Sequence, residues 1–529
     1  MSYPDLNSTF YAASLAPSWS GQTQVLYTQA QAATDYFNTV NPGTGKTVFM
    51  QIVADANAVY PTNTPAPGPS TPWPLVYGNS SFAMQLDSMS LEAYINSLTS
   101  FLRQDRNGAK TSLAQLLKVG YVCQYGADVT AQSPLNMLFL NGFQLMDDGV
   151  SIISAFPDPG NTTPVPPSLF EIYGISDERY HVPGGNDLVV SKLVANLTAG
   201  GTLLRSGYRL VAVTQRSDLP KRDKAGNVPY TLTFTSPSGA IFSDTCAHAV
   251  LALPFSVMAN SSDPRWAGLG INLAQAGFSS LKLYAINALR MGKNTKHAML
   301  FQNRFWRQQN NSGYNLATTN PWVGFSRVEA QFQCSWESTR AQPGVTGGIV
   351  QYASGVSSDS FHTTAAQPNV SIASYYGQSA TNAFTAQWSF LTPGAGNSTN
   401  FAFNVSSSGA LSNVVTDNWS ENPYTRGSYS YWLSGQYVGN GSLAFAGYEG
   451  VPEPYNVNQT GNCHFAGEHT SFDNQGYLDG AVESGNRVAA EIVASLAAFQ
   501  LASSAAASVR LGVLHFVPTM AIAFVVALL

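Results

Sequence analysis

Apolar residues recur at the three- and four-residue spacing of an amphipathic helix in three parts of the chain. These parts are residues 88–119, 188–197 and 476–501. The apolar face of the last is formed by Ala481, Gly485, Val488, Ile492 and Leu496. Because several residues near its start are small, we expect this helix to lie close against a sheet.

Short β-branched and alternating runs predict strands between these helices. They lie at residues 208–214, 230–234, 249–253, 296–302 and 464–466. Pro254 ends the third run, since proline has no N–H to offer to a β-ladder. A proline-rich stretch at residues 61–75 indicates a loop or linker. Strands and helices alternate without an internal repeat, which predicts an α/β fold with a discontinuous domain layout.

The composition is typical of a secreted protein. The 529 residues are enough for two or more packed domains. Charged residues make up only 10% of the chain, well under the roughly 25% typical of soluble proteins. Polarity comes from Ser, Thr, Asn, Gln and Gly, and twelve Asn-x-Ser/Thr sequons are present. The net charge of −5 leaves no basic patch for nucleic acid.

The two ends of the chain differ in character. Residues 1–10 are polar and lack the apolar region of a signal peptide. Residues 511–529 are almost wholly apolar and follow a run of small residues at 502–508. This order is typical of a GPI-attachment signal, and a tail-anchored transmembrane helix is the alternative. We therefore expect a cell-surface or extracellular protein, held at a membrane through its tail, whose oligomeric state stays open.

The chain has four widely separated cysteines, Cys123, Cys246, Cys334 and Cys463. Without a Cys-x-x-Cys pair, they predict neither a zinc site nor a thioredoxin-like motif. Cys246 and Cys463 each precede a short apolar strand, so a bridge between them is one possibility in an oxidising compartment. His464 and His469 have no third ligand at workable spacing, and no metal is predicted.

The strongest chemical signal is the segment from Cys463 to Gly485. It combines a short apolar strand, a Gly-Glu turn at Gly467 and Glu468, and a loop that leads to a helix N-terminus. A carboxylate beyond a strand accepts hydrogen bonds from sugar-like hydroxyls. A helix N-terminus presents unpaired N–H groups and partial positive charge, which stabilise an anionic ligand or a developing negative charge.

This segment closely resembles the C-terminal FAD-binding signature of the flavin monoamine oxidase family, which includes polyamine oxidases and L-amino-acid oxidases. The resemblance implies that Gly467 and Glu468 bind FAD at its ribityl or pyrophosphate region. It also implies that the backbone of Tyr477 and Leu478 meets the pyrimidine edge of the flavin.

Three earlier stretches resemble the family in the same order. They are residues 180–187, with a glycine pair before a helix, residues 208–215 and residues 250–255. The resemblance implies that Leu210 contacts the adenine through its backbone. It places Leu253 and Pro254 where a strand ends at the cofactor.

Residues 291–297, followed by Phe305 and Trp306, resemble the stretch that holds a lysine near the flavin. Lys296, not Lys293, matches the lysine that contacts flavin N5 through a water molecule. Its positive charge would favour the re-oxidation of reduced flavin by oxygen.

Residues 419–431 resemble the family's active-site loop. Ser428 stands where a cysteine joins the flavin in monoamine oxidases, which implies that FAD is bound non-covalently. Tyr429 and Tyr477 match the two aromatic residues that flank the substrate amine, and electron-rich ring faces favour an amine between them. Trp419 would line the same pocket, so we expect the sequon at Asn418 to carry no glycan.

The family opens with a strand and Gly-x-Gly-x-x-Gly, which the sequence lacks. The missing signal peptide and this motif would both lie upstream of Met1, and a truncated gene model or an internal start would explain both. We therefore expect an α/β fold of two domains: a discontinuous FAD-binding domain, incomplete at its N-terminus, and a substrate domain of mixed sheet and helices. The expected segments are an N-terminal remnant at 1–80, substrate-domain parts at 81–180 and 271–435, FAD-binding parts at 181–270 and 436–501, and the tail at 502–529.

The resemblance implies an FAD-dependent oxidoreductase that oxidises the C–N bond of an amine or amino acid. Oxygen would be the electron acceptor, and imine and hydrogen peroxide the products. A catalytically inactive, surface-anchored binding module is an alternative, favoured by the missing glycine motif. A flavin oxidase of thioethers such as prenylcysteine is another, since residues 176–186 also suit that group.

Overall fold

The structure is a computed structural model. It describes residues 29–59, 81–102, 112–141, 143–145, 152–154, 182, 184–216, 218, 229–301, 325–327, 333–339, 344, 347–360, 414–438, 463–471, 475–507 and 523–526. The chain divides into two compact units, each built from separate stretches of sequence. Unit 1 is Met1–Asn186, Gly292–Asn422 and Trp432–Gly441, and unit 2 is Asp187–Met291, Pro423–Tyr431 and Ser442–Leu529. The assignment of segments to FAD-binding and substrate domains stays a prediction.

The described elements are numbered in chain order. Helices α1 to α10 are Gln29–Ala33, Val48–Val59, Ser81–Asp87, Leu91–Thr99, Ser112–Tyr125, Pro134–Asn141, Asp187–Ala199, Phe255–Met258, Ser280–Ala288 and Leu478–Ala507. Strands β1 to β16 are Phe143–Leu145, Ile152–Ser154, Arg209–Gln215, Tyr230–Thr235, Ile241–Cys246, Ala249–Ala252, Asn272–Gln275, Arg290–Met291, Asn294–Phe301, Phe325–Arg327, Cys334–Glu337, Gly347–Ser354, Val414–Asn418, Ser430–Tyr431, Cys463–Phe465 and Ala523–Val526. A π-helical turn at Thr34–Asn38 follows α1, and 3-10 turns lie at Pro264–Trp266, Gly355–Ser360, Trp419–Glu421 and Glu468–Thr470.

Unit 1 contains an antiparallel sheet in the order β10-β11-β12-β9-β13. Every residue of β12 is buried, because this strand has neighbours on both edges and helix α5 near it. A disulfide joins Cys123 of α5 to Cys334 of β11. The disulfide between Cys246 and Cys463 that the sequence left possible is a wrong prediction, because both residues are buried thiols in unit 2.

The described residues of unit 2 form three sheets, the smallest of which is the antiparallel pair of β8 and β14. The other two sheets are larger. In the first, β5, β4 and β3 are antiparallel and β7 is parallel to β3. In the second, β15 and β16 run parallel to β6 on its two edges. Parallel strands require long connections, and β6, β15 and β16 are separated in the sequence by enough residues to provide them. The predicted strands are β3, β4, β6, β9 and β15, each within two residues of the expected bounds.

Helix α10 packs on the parallel sheet of unit 2. Val488 and Ile492 contact Val250 and Ala466, which confirms the expected packing of helix on sheet. The predicted face is shifted, however, because Ala481 and Gly485 are exposed and Ser484 is buried. Ser484 turns inward because its hydroxyl accepts a hydrogen bond from the Gly467 N–H, at 2.9 Å.

Two other sequence-based expectations concern helices. The predicted helix at 188–197 is α7, and the one at 88–119 becomes α4 and α5, between which residues 103–111 lie outside the described part. The part of the apolar tail that the structure describes forms strand β16. Within the residues that the structure describes, no helix is both long and apolar enough to cross a bilayer. The role of the tail as attachment signal or anchor stays a prediction.

Candidate flavin-binding site

The turn after β15 depends on glycine. Gly467 has φ of 130°, and a Cβ there would lie 2.5 Å from the ring of His469. Any side chain would clash, so the chain can turn sharply into the Glu468–Thr470 3-10 turn only with glycine. His469 is 3% exposed and packs on Phe255, with ring centres 4.4 Å apart. Burial lowers the pKa of His469 to about 3, so the imidazole is neutral at physiological pH.

Glu468 is the centre of the site in unit 2. Its Oε1 accepts the Ser430 N–H at 3.0 Å. Its Oε2 accepts the Ser430 hydroxyl at 2.8 Å and the Gly476 N–H at 2.7 Å. Burial raises the pKa of Glu468, and the three donors lower it in part because they favour the ionised form. The residue as a whole is half-buried.

Ser430 and Gly476 are the immediate neighbours of the two predicted pocket tyrosines, Tyr429 and Tyr477. The Gln475 side-chain amide also donates to the Ser430 hydroxyl, at 2.8 Å. One carboxylate and one amide therefore join the loop that carries Tyr429 to the turn that carries Tyr477. Both tyrosines are partly buried.

The loop before Tyr429 is held by Arg426. Its guanidinium donates to the carbonyls of Ser256, Val257 and Leu269, at 3.1 to 3.4 Å. In return the Ser256 hydroxyl donates to the Thr425 carbonyl at 2.6 Å. Arg426 adopts a left-handed backbone with φ of 51°, a conformation that these contacts stabilise. The loop carrying Ser428 is thus fixed to helix α8.

Helix α10 begins at Leu478, directly after Tyr477. Its first N–H groups have no partner inside the helix and carry partial positive charge. Gly476 has φ of 87°, and a Cβ there would meet no described atom within 4 Å. Leu478 is 67% exposed. Within the described part of the chain, the start of this helix is therefore uncovered beside Glu468.

These residues fit the FAD that the resemblance implies. A carboxylate offers about four acceptor positions, and among the described residues the donors from Ser430 and Gly476 take three on Glu468, so that one would be left for a ribityl hydroxyl. The N-terminus of α10 would supply donors for the flavin edge that becomes anionic on reduction.

Leu210, Leu253 and Pro254 also lie in unit 2. Leu210 is buried in β3, and Leu253 is buried just after β6. Pro254 caps the start of α8. Their expected contacts with the cofactor would be made near the backbone, and these contacts stay predictions.

Lys296 and Trp419 lie in unit 1. Lys296 is on β9, opposite Tyr352 of β12 and Asp417 of β13. Directly paired residues of an antiparallel sheet share a face, so the three side chains are neighbours. The Lys296 ammonium lies 5.5 Å from the ring centre of Tyr352 and 5.9 Å from that of Trp336.

Asp417 is the acidic partner of Lys296. Burial raises the pKa of Asp417, and the charge of Lys296 lowers it in part. Its Oδ1 is buried and makes no hydrogen bond with any part of the chain that the structure describes. A carboxylate in this position is stabilised mainly by the neighbouring cation.

Trp419 starts the 3-10 turn that follows β13. The Asn418 side chain caps this turn by accepting the Ser420 N–H at 3.1 Å, and Asn418 is 2% exposed. Because Asn418 is buried, a glycan on its Nδ2 would require the side chain to leave this position. That the sequon is unused stays a prediction.

Sequence patterns did not identify Ser430, Gln475 or Asp417 as site residues. Ser430 could have been found from its place beside Tyr429, and Gln475 from its place before the glycine that precedes Tyr477. Asp417 offered no such signal, because its relation to Lys296 depends on the register of two strands far apart in sequence.

Residues 124–493 match the family of flavin containing amine oxidoreductases, which is more than half of the chain. Cyclohexylamine oxidase from Brevibacterium oxydans IH-35A has a similar structure, with 15% identity over 87% of this chain and 77% of that chain and a TM-score of 0.51. Putrescine oxidase bound to putrescine is also similar, with 14% identity over 93% of this chain and 82% of that chain and a TM-score of 0.55.

At these identities the structural likeness concerns the fold, and it confirms the expected α/β fold of the amine oxidase type. The match over residues 124–493 is independent of that likeness and confirms the family and its cofactor. The chain belongs to the family of flavin containing amine oxidoreductases, and its cofactor is FAD.

Proposed function

We propose that the protein is an oxidase that removes hydride from the carbon next to an amine or amino-acid nitrogen, with oxygen as the final acceptor. The observation that carries this proposal is the joint attachment of the Tyr429 and Tyr477 segments to Glu468, next to the start of α10. Bound FAD would accept the hydride and afterwards deliver two electrons to oxygen, which with two protons gives hydrogen peroxide.

The residues of the chain would position the substrate rather than act as a strong base. Tyr429 and Tyr477 would flank the amine, and their electron-rich faces would stabilise it. The substrate enters deprotonated, so loss of hydride leaves a neutral imine after release of the nitrogen-bound proton. Water then hydrolyses the imine to an aldehyde or keto acid and ammonia or an amine.

Lys296 would promote the reaction with oxygen. Its cation favours the negative charge that oxygen acquires on one-electron reduction. Asp417 would keep the Lys296 side chain on its face of the sheet. Ser428 has no thiol, so FAD would be held by non-covalent contacts alone.

The place of action that we propose is the cell surface or the extracellular space. The twelve sequons and the apolar residues 511–529 support this proposal. An inactive surface-anchored binding module is the second candidate, because the sequence contains no Gly-x-Gly-x-x-Gly motif.

The test is a measurement of bound flavin and peroxide release on the purified protein. We expect the purified protein to show flavin absorbance, and we expect trichloroacetic acid to release all of the flavin into the supernatant. We also expect peroxide formation with a member of a panel of monoamines, polyamines and amino acids. The panel also includes a prenylcysteine thioether. Flavin-loaded protein that forms no peroxide with any amine would support the binding module, and a response to the thioether alone would identify a thioether oxidase.

A further inference from the structure

Glu468 connects two segments that are separate in sequence. Ser430 lies 38 residues before it, and Gly476 lies 8 residues after it. The Ser430 N–H and hydroxyl and the Gly476 N–H all converge on this one carboxylate. Such convergence requires an acceptor with two oxygens, which is the property of an ionised carboxylate.

The two connected residues, Ser430 and Gly476, lie in different local backbone settings. Ser430 belongs to β14, which has only two residues and pairs with β8. Gly476 lies in the left-handed region of the backbone, with φ of 87°, before α10 begins. The side-chain amide of Gln475 adds a direct link, because it donates to the Ser430 hydroxyl at 2.8 Å.

Glu468 itself is rigidly placed. The preceding Gly467 N–H donates to Ser484 of α10. Two residues later, the Thr470 hydroxyl accepts from the Arg487 guanidinium at 3.2 Å, and the same guanidinium donates to the Phe465 carbonyl at 2.9 Å. The carboxylate is therefore a fixed point to which the two segments are attached.

We propose that Glu468 is a positioning residue, which sets the spacing of Tyr429 and Tyr477 by holding their neighbours Ser430 and Gly476, with Gln475 as a second link between the two segments. The inference rests on the proposed function, since the two tyrosines flank the amine only if the protein is an amine oxidase. Adjacent Cα atoms are about 3.8 Å apart, so displacement of Ser430 or Gly476 moves the neighbouring tyrosine with it.

The variants for the test separate this role from the binding of flavin. Ser430→Ala and Gln475→Leu remove links but keep the Glu468 carboxylate, which remains able to accept a flavin hydroxyl. Glu468→Gln places an amide donor against the donors of Ser430 and Gly476. Ser430→Thr keeps the hydroxyl, and Ser238→Ala is a matched control on an exposed hairpin.

The first measurement is peptide-resolved hydrogen–deuterium exchange on full-length protein without substrate. We expect amide exchange in the peptides that contain Ser430 and Gly476 to become about three- to tenfold faster in Ser430→Ala and faster still in Glu468→Gln. Exchange in Ser430→Thr and Ser238→Ala should equal that of the wild type. Unchanged exchange in both Ser430→Ala and Glu468→Gln would overturn the proposal.

The second measurement is steady-state peroxide release by the flavin-loaded enzyme. In Ser430→Ala and Gln475→Leu we expect KM for the amine to rise about three- to tenfold with equal flavin content and nearly constant kcat. A fall in flavin content without a change in KM would overturn the positioning role. If the wild type forms no peroxide, the proposed function fails, and the exchange measurement still decides whether Glu468 holds the two segments.

Discussion

Asp417 lies directly opposite Lys296 on neighbouring antiparallel strands of unit 1. The pair is on the same sheet face as Tyr352, which lies opposite Lys296 on the other side. A lysine expected to act on oxygen thus has a carboxylate and an aromatic ring as fixed neighbours. This arrangement gives the cation a defined position and the carboxylate its main stabilising charge.

Replacing Lys296 should destabilise the protein through Asp417. The pKa of Asp417 is raised by burial and lowered in part by Lys296, so Lys296→Met should raise it further. An acid with a raised pKa in the folded state opposes folding while it is ionised, and this effect disappears as pH falls through the folded pKa. Lys296→Met should therefore cost on the order of 1 kcal/mol or less at pH 7, because Lys296 is exposed, and less at acid pH.

Urea unfolding of the double-mutant cycle checks this prediction. Lys296→Met combined with Asp417→Asn should recover the stability lost in Lys296→Met alone. Equal losses in the single and double variants, or a deficit that grows as pH falls, would show that the two groups do not interact in the expected way.

The oxygen reaction should depend on Lys296 itself. Lys296→Met should slow the re-oxidation of reduced flavin about 10²-fold, because the positive charge next to the reduced oxygen is lost. Reduction of the flavin by an amine under anaerobic conditions should change by a few fold at most. Stopped-flow absorbance measures the two half-reactions separately.

Lys293 offers a matched control three residues away. Its ammonium pairs with Asp359 at 2.8 Å on the surface, where both side chains are about half exposed. Lys293→Met should leave both half-reactions unchanged. An equal effect of the two substitutions on re-oxidation would contradict the assignment of Lys296.

The disulfide between Cys123 and Cys334 should contribute substantially to stability. It joins residues separated by 211 positions, and closing a loop in the unfolded chain typically stabilises a protein by about 2–4 kcal/mol. Replacing both cysteines by alanine should lower the free energy of unfolding by about this amount. The control variant replaces Cys246, which is not in the disulfide, by alanine. Separately, non-reducing peptide mapping of the wild type should recover the peptides of Cys123 and Cys334 as one linked species. A linked pair of Cys246 and Cys463 in that map would contradict the structure.

Acid should destabilise the protein through two buried histidines. Burial lowers the pKa of His297 and of His469 to about 3, from the ordinary value of 6.5. The unfolded chain therefore binds protons at these residues from about pH 6.5 downward, while the folded protein does not, and stability falls between pH 6.5 and 3. Each histidine should account for about 2 kcal/mol of the loss between pH 7.5 and pH 5.

A histidine replacement isolates this effect. His469→Phe keeps an aromatic ring against Phe255 and removes the titrating group. Its free energy of unfolding should change less between pH 7.5 and pH 5 than that of the wild type. An identical pH dependence would mean that His469 is not the source.

Local sequence patterns predicted where helices form better than they predicted which residues of those helices are buried. Helix α10 was expected from its apolar spacing, but its inward face includes Ser484, which a hydrophobic pattern does not select. Helix α7 was expected for the same reason, yet Leu188, Val189, Leu193 and Leu197 are 36–54% exposed. Periodicity reports that a helix has an apolar side, and the partner of that side depends on the rest of the fold.

The sequence by itself determined the family, the cofactor, the α/β class and the bounds of most strands that lead to the site. It could do so because strand and turn signals are local, and because Gly467, Glu468 and their flanking residues form one continuous segment. The tertiary structure decided which cysteines pair, that Asp417 faces Lys296, and that Glu468 holds Ser430 and Gly476. These relationships depend on strand register and on contacts between residues distant in the chain. Local sequence patterns do not determine the free energy of such contacts.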